Sequence, residues 1–315
     1  MKKAVLSIAT AAMVVFSAYA QQYCPQSDFE VELIDVGKAW EITGYTGSNT
    51  DVRIPSRIKN LPVRRIGNSA FEGGLWQRQW GRGWTLIPGN QLTSVIIPDS
   101  VTHIGEGAFA SNLLESVIIP NSVTYIGFVA FSNNQLTSIS IPDIVTYIGR
   151  AAFADNRLTS VSIGNGVTHI GDDTFADNLL TSVSIGNSVT HIGQWAFARN
   201  QLASVTIPDS VMYIGDYAFD QNQLTSVIIG NSVTHIYFGA FRDNQLTSVI
   251  IPDSVTYIDR EAFRGNQLTS VTIPDSVAHI GAGAFTDNHL TSVSVPSGTS
   301  VDPMAFDPEV EITRR

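Results

Sequence analysis

Histidine or tyrosine occupies one position of a 22-residue repeat along most of this 315-residue chain, and no other residue type occurs there. A planar ring with a polar tip can stack on a sugar ring or on a partner's side chain, and it can equally pack on the next ring of its own chain. The sequence is compatible with both a binding strip and a packing ladder. The candidate binding strip comprises His103, Tyr125, Tyr147, His169, His191, Tyr213, His235, Tyr257 and His279.

Metal and acid–base chemistry have little support in this sequence. His169 and His191 are consecutive members of the strip, but two imidazoles make an incomplete metal site and no column of carboxylates accompanies them. The charged pairs Asp172-Asp173 and Arg260-Glu261 do not recur in neighbouring units. No nucleophile with a neighbouring base and no phosphate loop is evident. The sequence therefore predicts a protein that is not an enzyme and that needs neither a metal nor another cofactor.

Tryptophan and arginine alternate in a segment that interrupts the repeat. Between Phe71 and Leu92 lie sixteen residues more than the period allows. Exposed tryptophans are costly unless a contact uses them, so this segment either binds a partner or folds back over an edge of the molecule. The candidate aromatic loop consists of Trp76, Arg78, Trp80, Arg82 and Trp84.

The elements that position these residues follow from the period itself. Leucine recurs every 22 residues from Leu92 to Leu290, and phenylalanine recurs with the same spacing from Phe109 to Phe285. Such a period is typical of a solenoid, in which each unit forms one coil and buries its apolar side against its neighbours. We therefore expect parallel strands stacked from coil to coil.

Within one unit, the residue types predict a strand, a turn and a return segment. Leu92, Val95 and Ile97 direct apolar side chains to the core from a short β-strand, whose outward Thr, Ser and Ile residues give a neutral face rich in hydroxyl groups. Val101 and Ile104 face inward from a short extended segment. The following Ala-Phe pair is predicted on a single helical or 3₁₀ turn. The asparagine two residues before each leucine is predicted to satisfy backbone groups of the closing turn.

The two ends of the chain differ from the repeats. Lys2 and Lys3, an apolar run and the small-x-small sequence Ala18-Tyr19-Ala20 predict a cleaved signal peptide and a mature chain from Gln21. The apolar run is shorter than the ~20 residues that span a bilayer, so no transmembrane segment is expected in the mature chain. The predicted divisions are residues 1–20 (signal peptide), 21–49 (β-hairpin cap), 50–306 (repeat array, with the tryptophan-rich excursion at 72–89) and 307–315 (C-terminal cap or tail).

Composition excludes further classes of partner. Charged residues make up 15% of the chain, the formal net charge is −10 and the last lysine is Lys59, so the repeats offer no basic groove for nucleic acid. Cys24 is the only cysteine, which excludes an intrachain disulfide. Packing alone must hold the fold.

The consensus of the unit, Leu-x-Ser-Val-x-Ile-Pro-x-Ser-Val-Thr-x-Ile-Gly-x-x-Ala-Phe, resembles the BspA-like (Treponema-type) leucine-rich repeats of bacterial surface proteins over residues 50 to 306. The unit is one residue shorter than is usual in that family. The resemblance implies a leucine-rich-repeat solenoid, a curved right-handed α/β-type superhelix of short parallel strands with 3₁₀ or short helical turns. It also implies a secreted or outer-surface protein, in a family with some adhesive members, and it brings no catalytic residues.

Three functions are compatible with this sequence. The leading hypothesis is a non-catalytic secreted or cell-surface recognition and adhesion protein, located in the periplasm, on the outer surface or outside the cell, whose repeat surface binds an extracellular protein or glycan. The second is a structural envelope component without a specific ligand. The third is an ice- or crystal-binding array, suggested by the regular threonine columns but disfavoured by the isoleucines that interrupt them.

Overall fold

The computed structural model describes residues 23–79 and 83–315, so the predicted signal peptide lies outside the described residues. The described chain is a β-solenoid whose coils follow the 22-residue period, as the sequence predicted. Its regular structure consists of 25 short strands and one 3₁₀ turn. No helix in this part of the chain is both long and apolar enough to cross a membrane.

Most coils contribute two strands, separated by a tight turn. The first strands are β3 (Asp51–Arg53), β8 (Ser94–Ile96), β11 (Ser138–Ile141), β13 (Ser160–Ile163), β15 (Ser182–Ser184), β17 (Ser204–Thr206), β19 (Ser226–Ile228), β23 (Ser292–Val295) and β25 (Glu311–Arg314). The second strands are β5 (Leu61–Ile66), β9 (His103–Ile104), β10 (Tyr125–Ile126), β12 (Tyr147–Ile148), β14 (His169–Ile170), β16 (His191–Ile192), β18 (Tyr213–Ile214), β20 (His235–Ile236), β21 (Tyr257–Ile258), β22 (His279–Ile280) and β24 (Ser300–Val301). The other elements are the 3₁₀ turn Gln26–Asp28 and the strands β1 (Phe29–Ile34), β2 (Ala39–Tyr45), β4 (Arg57–Ile58), β6 (Gly74–Gln79) and β7 (Gly83–Pro88).

The first strands stack in parallel as four short sheets, with the orders β3-β8, β11-β13-β15, β17-β19 and β23-β25. Their register advances by one repeat, so that Ser160 lies between Ser138 and Ser182. Each repeat position therefore becomes a column of side chains about 4.8 Å apart.

The second strands form the longer ladder. One sheet has the order β1-β2-β5-β9-β10-β12-β14-β16-β18 with β4 beside β5, and another has the order β20-β21-β22-β24. The sequence predicted only a short extended segment here, because two residues per coil give little strand signal. Stacking makes this segment continuous, since its hydrogen bonds join neighbouring coils.

The core is the predicted column of aliphatic and phenylalanine side chains. Phe109, Phe153 and Phe175 have no exposed surface, and Leu158 and Val167 are equally buried. From Phe71 to Phe306 each phenylalanine stacks on the next, with ring centroids 5.1–5.6 Å apart. The predicted burial and register of the repeat are confirmed.

The asparagine column closes the coils, as predicted. The Oδ1 atom of Asn178 accepts a hydrogen bond from the amide of Leu158 in the preceding coil, at 3.0 Å. Its Nδ2 group donates to the carbonyls of Phe153, Phe175 and Ala176. A buried amide that bonds two successive coils satisfies groups that no strand ladder reaches.

The turn that carries phenylalanine is not helical, so this part of the prediction was wrong. The amide of Phe153 donates to Thr174 O in the next coil rather than to a carbonyl of its own coil. The residue two positions before phenylalanine has a left-handed backbone, for example Asp173 (φ 54°) and Trp195 (φ 58°). Local hydrogen bonds from Ala152 N to Gly149 O and from Ala154 N to Ala151 O close single turns here, but the positive φ two residues before phenylalanine keeps these turns from forming a 3₁₀ helix.

Both ends extend the stack. The predicted N-terminal hairpin is formed by β1 and β2, and β2 continues the second-strand ladder onto β5. Phe29 and Tyr45 pack on Phe71, the first ring of the phenylalanine column. At the other end β25 pairs with β23, and Phe306 stacks on Phe285.

Candidate functional site

The tryptophan-rich excursion is an antiparallel hairpin of β6 and β7. Trp76 and Arg78 lie on β6, and Trp84 lies on β7 opposite Arg78. Trp80 and Arg82 lie outside the described residues. The structure thus brings three of the five candidate positions onto one hairpin, and a role in binding or in covering an edge stays a prediction.

The histidine and tyrosine positions form one surface strip along the second-strand ladder. Each ring residue precedes a buried isoleucine, so its side chain points outward where that of isoleucine points inward. Tyr125 pairs directly with His103 and Tyr147, and His191 pairs with His169 and Tyr213. The structure places six of the nine candidate residues, from His103 to Tyr213, on one ladder and the other three, from His235 to His279, on the next.

Six of the eight neighbouring ring pairs of the strip are in contact, five of them stacked and one, His191–Tyr213, tilted. Centroid separations are 5.7 Å for His103–Tyr125, 4.7 Å for Tyr125–Tyr147, 4.4 Å for His169–His191, 5.7 Å for His191–Tyr213, 5.1 Å for His235–Tyr257 and 4.6 Å for Tyr257–His279. Ring faces in these pairs are therefore occupied by the chain itself. What the strip offers to solvent is ring edges and polar tips, with 37% of Tyr125 and 48% of Tyr147 exposed.

A threonine before each of several histidines orients the imidazole. Thr190 donates its hydroxyl hydrogen to Thr168 O at 3.0 Å, and its Oγ1 lies 2.9 Å from Nδ1 of His191. Because the single hydroxyl hydrogen is already used, Nδ1–H must be the donor in the second contact. In neutral His191 this leaves Nε2 as a hydrogen-bond acceptor. Thr102 makes the same pair of contacts with Arg64 O and His103.

The surroundings favour uncharged rings. Burial lowers the pKa of His191 below its ordinary value, and the stacked His169 lowers it further. Burial also lowers the pKa of His103, with nearby Arg65 acting in the same direction. Burial raises the pKa of Tyr125, and the adjacent Tyr147 adds to this effect. At neutral pH these members of the strip present neutral donors and acceptors.

Tyr237 joins the strip, although it lies outside the repeat position at which histidine and tyrosine recur. It occupies the position of a glycine such as Gly215, at which a β-carbon would lie 2.7 Å from Gln194 N in the preceding coil. Its ring lies 4.6 Å from that of Tyr213 and 5.4 Å from that of His235. The ladder is interrupted here, between β18 and β20. The departure from glycine in the consensus was the signal that could have identified it.

The hydroxyl-rich face of the first strands divides into two kinds of column. Threonine hydroxyls donate to the preceding coil, as Thr159 does to Thr137 O and Thr181 does to Thr159 O. The hydroxyls of the outward serines at the centre of the strands, such as that of Ser162, make no hydrogen bond to the described chain. Threonine therefore supports the stack, whereas these serines have free hydrogen-bonding capacity.

Ion pairs follow the turn beyond the phenylalanine column. Arg199 pairs with Asp177 at 2.6 Å, and Arg242 pairs with Asp220 at 2.9 Å and with Glu261 at 3.2 Å. Burial raises the pKa of the Asp220 carboxyl. The hydrogen bond and the positive charge of Arg242 act in the opposite direction on this pKa. Among the described residues, no three His, Cys, Asp or Glu side chains are grouped to hold a metal ion.

The family of the chain is decided by its repeat sequence. The model of the BspA type leucine-rich repeat region, in six copies, matches residues 88–203 and 196–313. The chain belongs to this family. The resemblance drawn from the consensus of the unit is thereby confirmed. Leucine-rich repeats of this kind typically mediate protein interactions. No curated protein matches the chain at a significant level.

Several solved structures resemble this BspA-type solenoid at low sequence identity. A leucine-rich-repeat protein from Bacteroides ovatus is 22% identical over 91% of this chain and 98% of its own, with a TM-score of 0.43. A leucine-rich cell surface protein from Faecalibacterium prausnitzii is 22% identical over 95% and 96%, with a TM-score of 0.48. The pneumococcal vaccine antigen PcpA is 16% identical over 93% and 98%, with a TM-score of 0.46.

Proposed function

We propose that this BspA-type chain is a non-catalytic recognition protein, exported by its N-terminal signal peptide to the cell surface or the extracellular space, that binds a partner through the His/Tyr strip. The observation that carries the proposal is the restriction of one outward column to two residue types whose rings lie in contact along the ladder. A column needed only for solubility would accept many polar residues.

The geometry of the strip favours a protein as the partner over a sugar stacked on its rings. Stacking needs free ring faces, and the faces of His169 and His191 are engaged with each other at 4.4 Å. The strip offers ring edges, tyrosine hydroxyls and imidazole nitrogens, which can contact the mixed polar and apolar surface of a protein partner. Tyrosine is also enriched in protein–protein interfaces. The rings are also held by their neighbours, so binding immobilises few free side chains.

The size of the strip supports a specific interface. Nine members at a ladder spacing of about 4.8 Å extend over roughly 40 Å. A standard interface buries about 800 Å² on each partner, and a strip of this length reaches across such an area. Several members should then contribute together.

The first prediction is that a set of strip substitutions strongly weakens binding and leaves the fold intact. Tyr125, Tyr147, His169 and His191 are replaced together by Ser, the residue that Ser300 provides at the same position of the ladder. We expect affinity for the best binder in a panel of purified extracellular matrix proteins to fall on the order of 100-fold, because buried tyrosines are common interface anchors. Surface plasmon resonance measures the affinity, and circular dichroism confirms the fold.

The control is placed on the other ladder of the same coils. Thr137→Ala, Thr159→Ala and Thr181→Ala introduce the residue that Ala203 supplies naturally at this position, and affinity should stay unchanged. Acidification should protonate His103 and His191 only below the ordinary titration range of histidine, because their surroundings lower their pKa, and the added positive charge should weaken binding to a neutral or cationic partner relative to pH 7.5. Equal affinity of the wild type and the strip variant would contradict the proposal and would indicate that the rings of the strip only pack on one another.

A further inference from the structure

A groove crosses the first-strand ladder in the middle of the solenoid. It has a volume of about 540 Å³, and its floor includes Ser140, Ser162 and Ser184 of three successive coils. In the flanking coils the same column carries Ile118 and Thr206. The groove exists because serine is small where the neighbouring coils carry bulkier side chains.

Glycine deepens the same groove along one side. Gly164 and Gly186 line it where the adjacent coils have Pro142 and Pro208. At the end nearest the N-terminus the groove continues into a second hollow of about 340 Å³, which shares Ser140 and Pro142 and includes Ile118. Ile118 is 83% exposed. The whole depression is a polar channel with an apolar patch at one end.

The polar groups of the channel are free to bind a ligand. Within the described residues, the hydroxyls of Ser140, Ser162 and Ser184 and the side-chain amide of Asn187 have no hydrogen-bond partner. Asn165 uses only its Oδ1, which accepts from the amide of Asn187 at 2.9 Å. Alcohol and amide groups in a row, each able to donate and accept, match the hydroxyl groups of a sugar.

The spacing of these groups distinguishes a glycan from a peptide. Ser140 pairs with Ser162 and Ser162 with Ser184, so equivalent hydroxyls follow one another at the ladder spacing of about 4.8 Å. This is close to the length of one pyranose unit in an extended chain. An extended peptide returns a side chain to the same face only every ~6.7 Å, which does not match the column.

Charge and shape narrow the class of glycan. Among the residues that the structure describes, Asp143 is the one charged residue that lines the channel, and the whole chain carries a formal charge of −10. An anionic polysaccharide would be repelled. We propose that this serine channel binds a neutral, unbranched polysaccharide along the solenoid axis, one sugar unit per coil, with the apolar face of a terminal sugar on Ile118. The site lies on a different ladder from the strip, so it goes beyond the proposed function.

The test fills the channel with a residue that the fold already accepts. Ser162→Ile introduces isoleucine, the residue type that occurs at the same repeat position in two other coils, as Ile96 and Ile228. The matched control is Ser294→Ile, which makes the identical change at that position outside the channel. The probes are neutral β-1,4-linked glucose and mannose hexamers, with hexagalacturonate as the anionic comparison, titrated by calorimetry into the chain that begins at Gln21.

We expect one of the neutral hexamers to bind the wild type and Ser294→Ile equally, and Ser162→Ile to bind it at least about tenfold more weakly. Trimers should bind less tightly than hexamers because they fill fewer coils. The strip variant should retain hexamer binding, and Ser162→Ile should retain binding to the matrix protein, which separates the two proposals. Absence of binding to either neutral hexamer, stronger binding of hexagalacturonate, or equal binding by Ser162→Ile and Ser294→Ile would each overturn the inference.

Discussion

Phe175→Ala is expected to lower the local free energy of unfolding by about 3–5 kcal/mol, because it leaves a void in the middle of the solenoid. Phe175 has no exposed surface, and its ring lies 5.6 Å from that of Phe153 and 5.5 Å from that of Phe197. Each coil contacts only its neighbours, so the damage should decline with distance along the array. Native-state hydrogen exchange, read peptide by peptide, measures both quantities.

The matched control removes a phenylalanine that does not belong to the core column. Phe128 is 40% exposed, and Phe128→Ala should change stability by no more than about 0.5 kcal/mol. In Phe175→Ala, exchange should accelerate first in the coils of Phe153 and Phe197. If every coil accelerated equally, the array would unfold as one unit and the nearest-neighbour account would be wrong.

Asn178→Ala should cost roughly 2–4 kcal/mol although it removes no apolar surface. The amide of Leu158 loses its buried acceptor, and a buried group without a partner costs about 1–3 kcal/mol. The carbonyls of Phe153 and Phe175 each lose one of two asparagine donors, since Asn156 and Asn200 still bond to them. The remaining cost comes from these weakened contacts.

Asn187→Ala in the next coil provides the comparison for this variant. Asn187 is exposed, and its side chain makes no hydrogen bond within the described residues, so the substitution should be nearly neutral. Thermal unfolding followed by circular dichroism, together with hydrogen exchange at Leu158, distinguishes the two variants. Equal stability of Asn178→Ala and Asn187→Ala would show that the asparagine column does not hold the coils together.

The core could be predicted from the sequence because a residue type that recurs at the same repeat position lies in the same surroundings in every coil. Leu158, Phe175 and Asn178 recur in every unit with one residue type, and each environment in a stack is repeated by translation. A position that tolerates one type must be buried or specifically bonded. The same logic identified the His/Tyr strip, although it did not decide between packing and binding.

The features that escaped prediction depend on contacts between coils. The backbone at Phe153 donates to the next coil, and no local sequence signal distinguishes this from a helical turn. Threonine hydroxyls such as that of Thr159 looked free but bond to the preceding coil. The serine channel arises because Ser162 and Gly164 have smaller side chains than the residues at the same positions of other coils. This difference forms a groove only when several coils are stacked side by side.

The central functional claim is that the strip is the surface that a partner covers, and the six histidines of the chain report on it directly. Five belong to the strip, and the sixth, His289, is exposed elsewhere and serves as an internal control. Diethyl pyrocarbonate acylates neutral imidazole, and the Nε2 of His191 is left available by its contact with Thr190. The rate at which this reagent labels a strip histidine therefore reports whether a partner covers that histidine.

The measurement is the labelling rate of each histidine, determined by mass spectrometry for the free protein and for its complex with the best-binding matrix protein. We expect the complex to slow labelling of consecutive strip members such as His169 and His191 at least about tenfold, while His289 reacts at its free rate. Labelling of all five strip histidines at their free rates in the saturated complex would contradict the account.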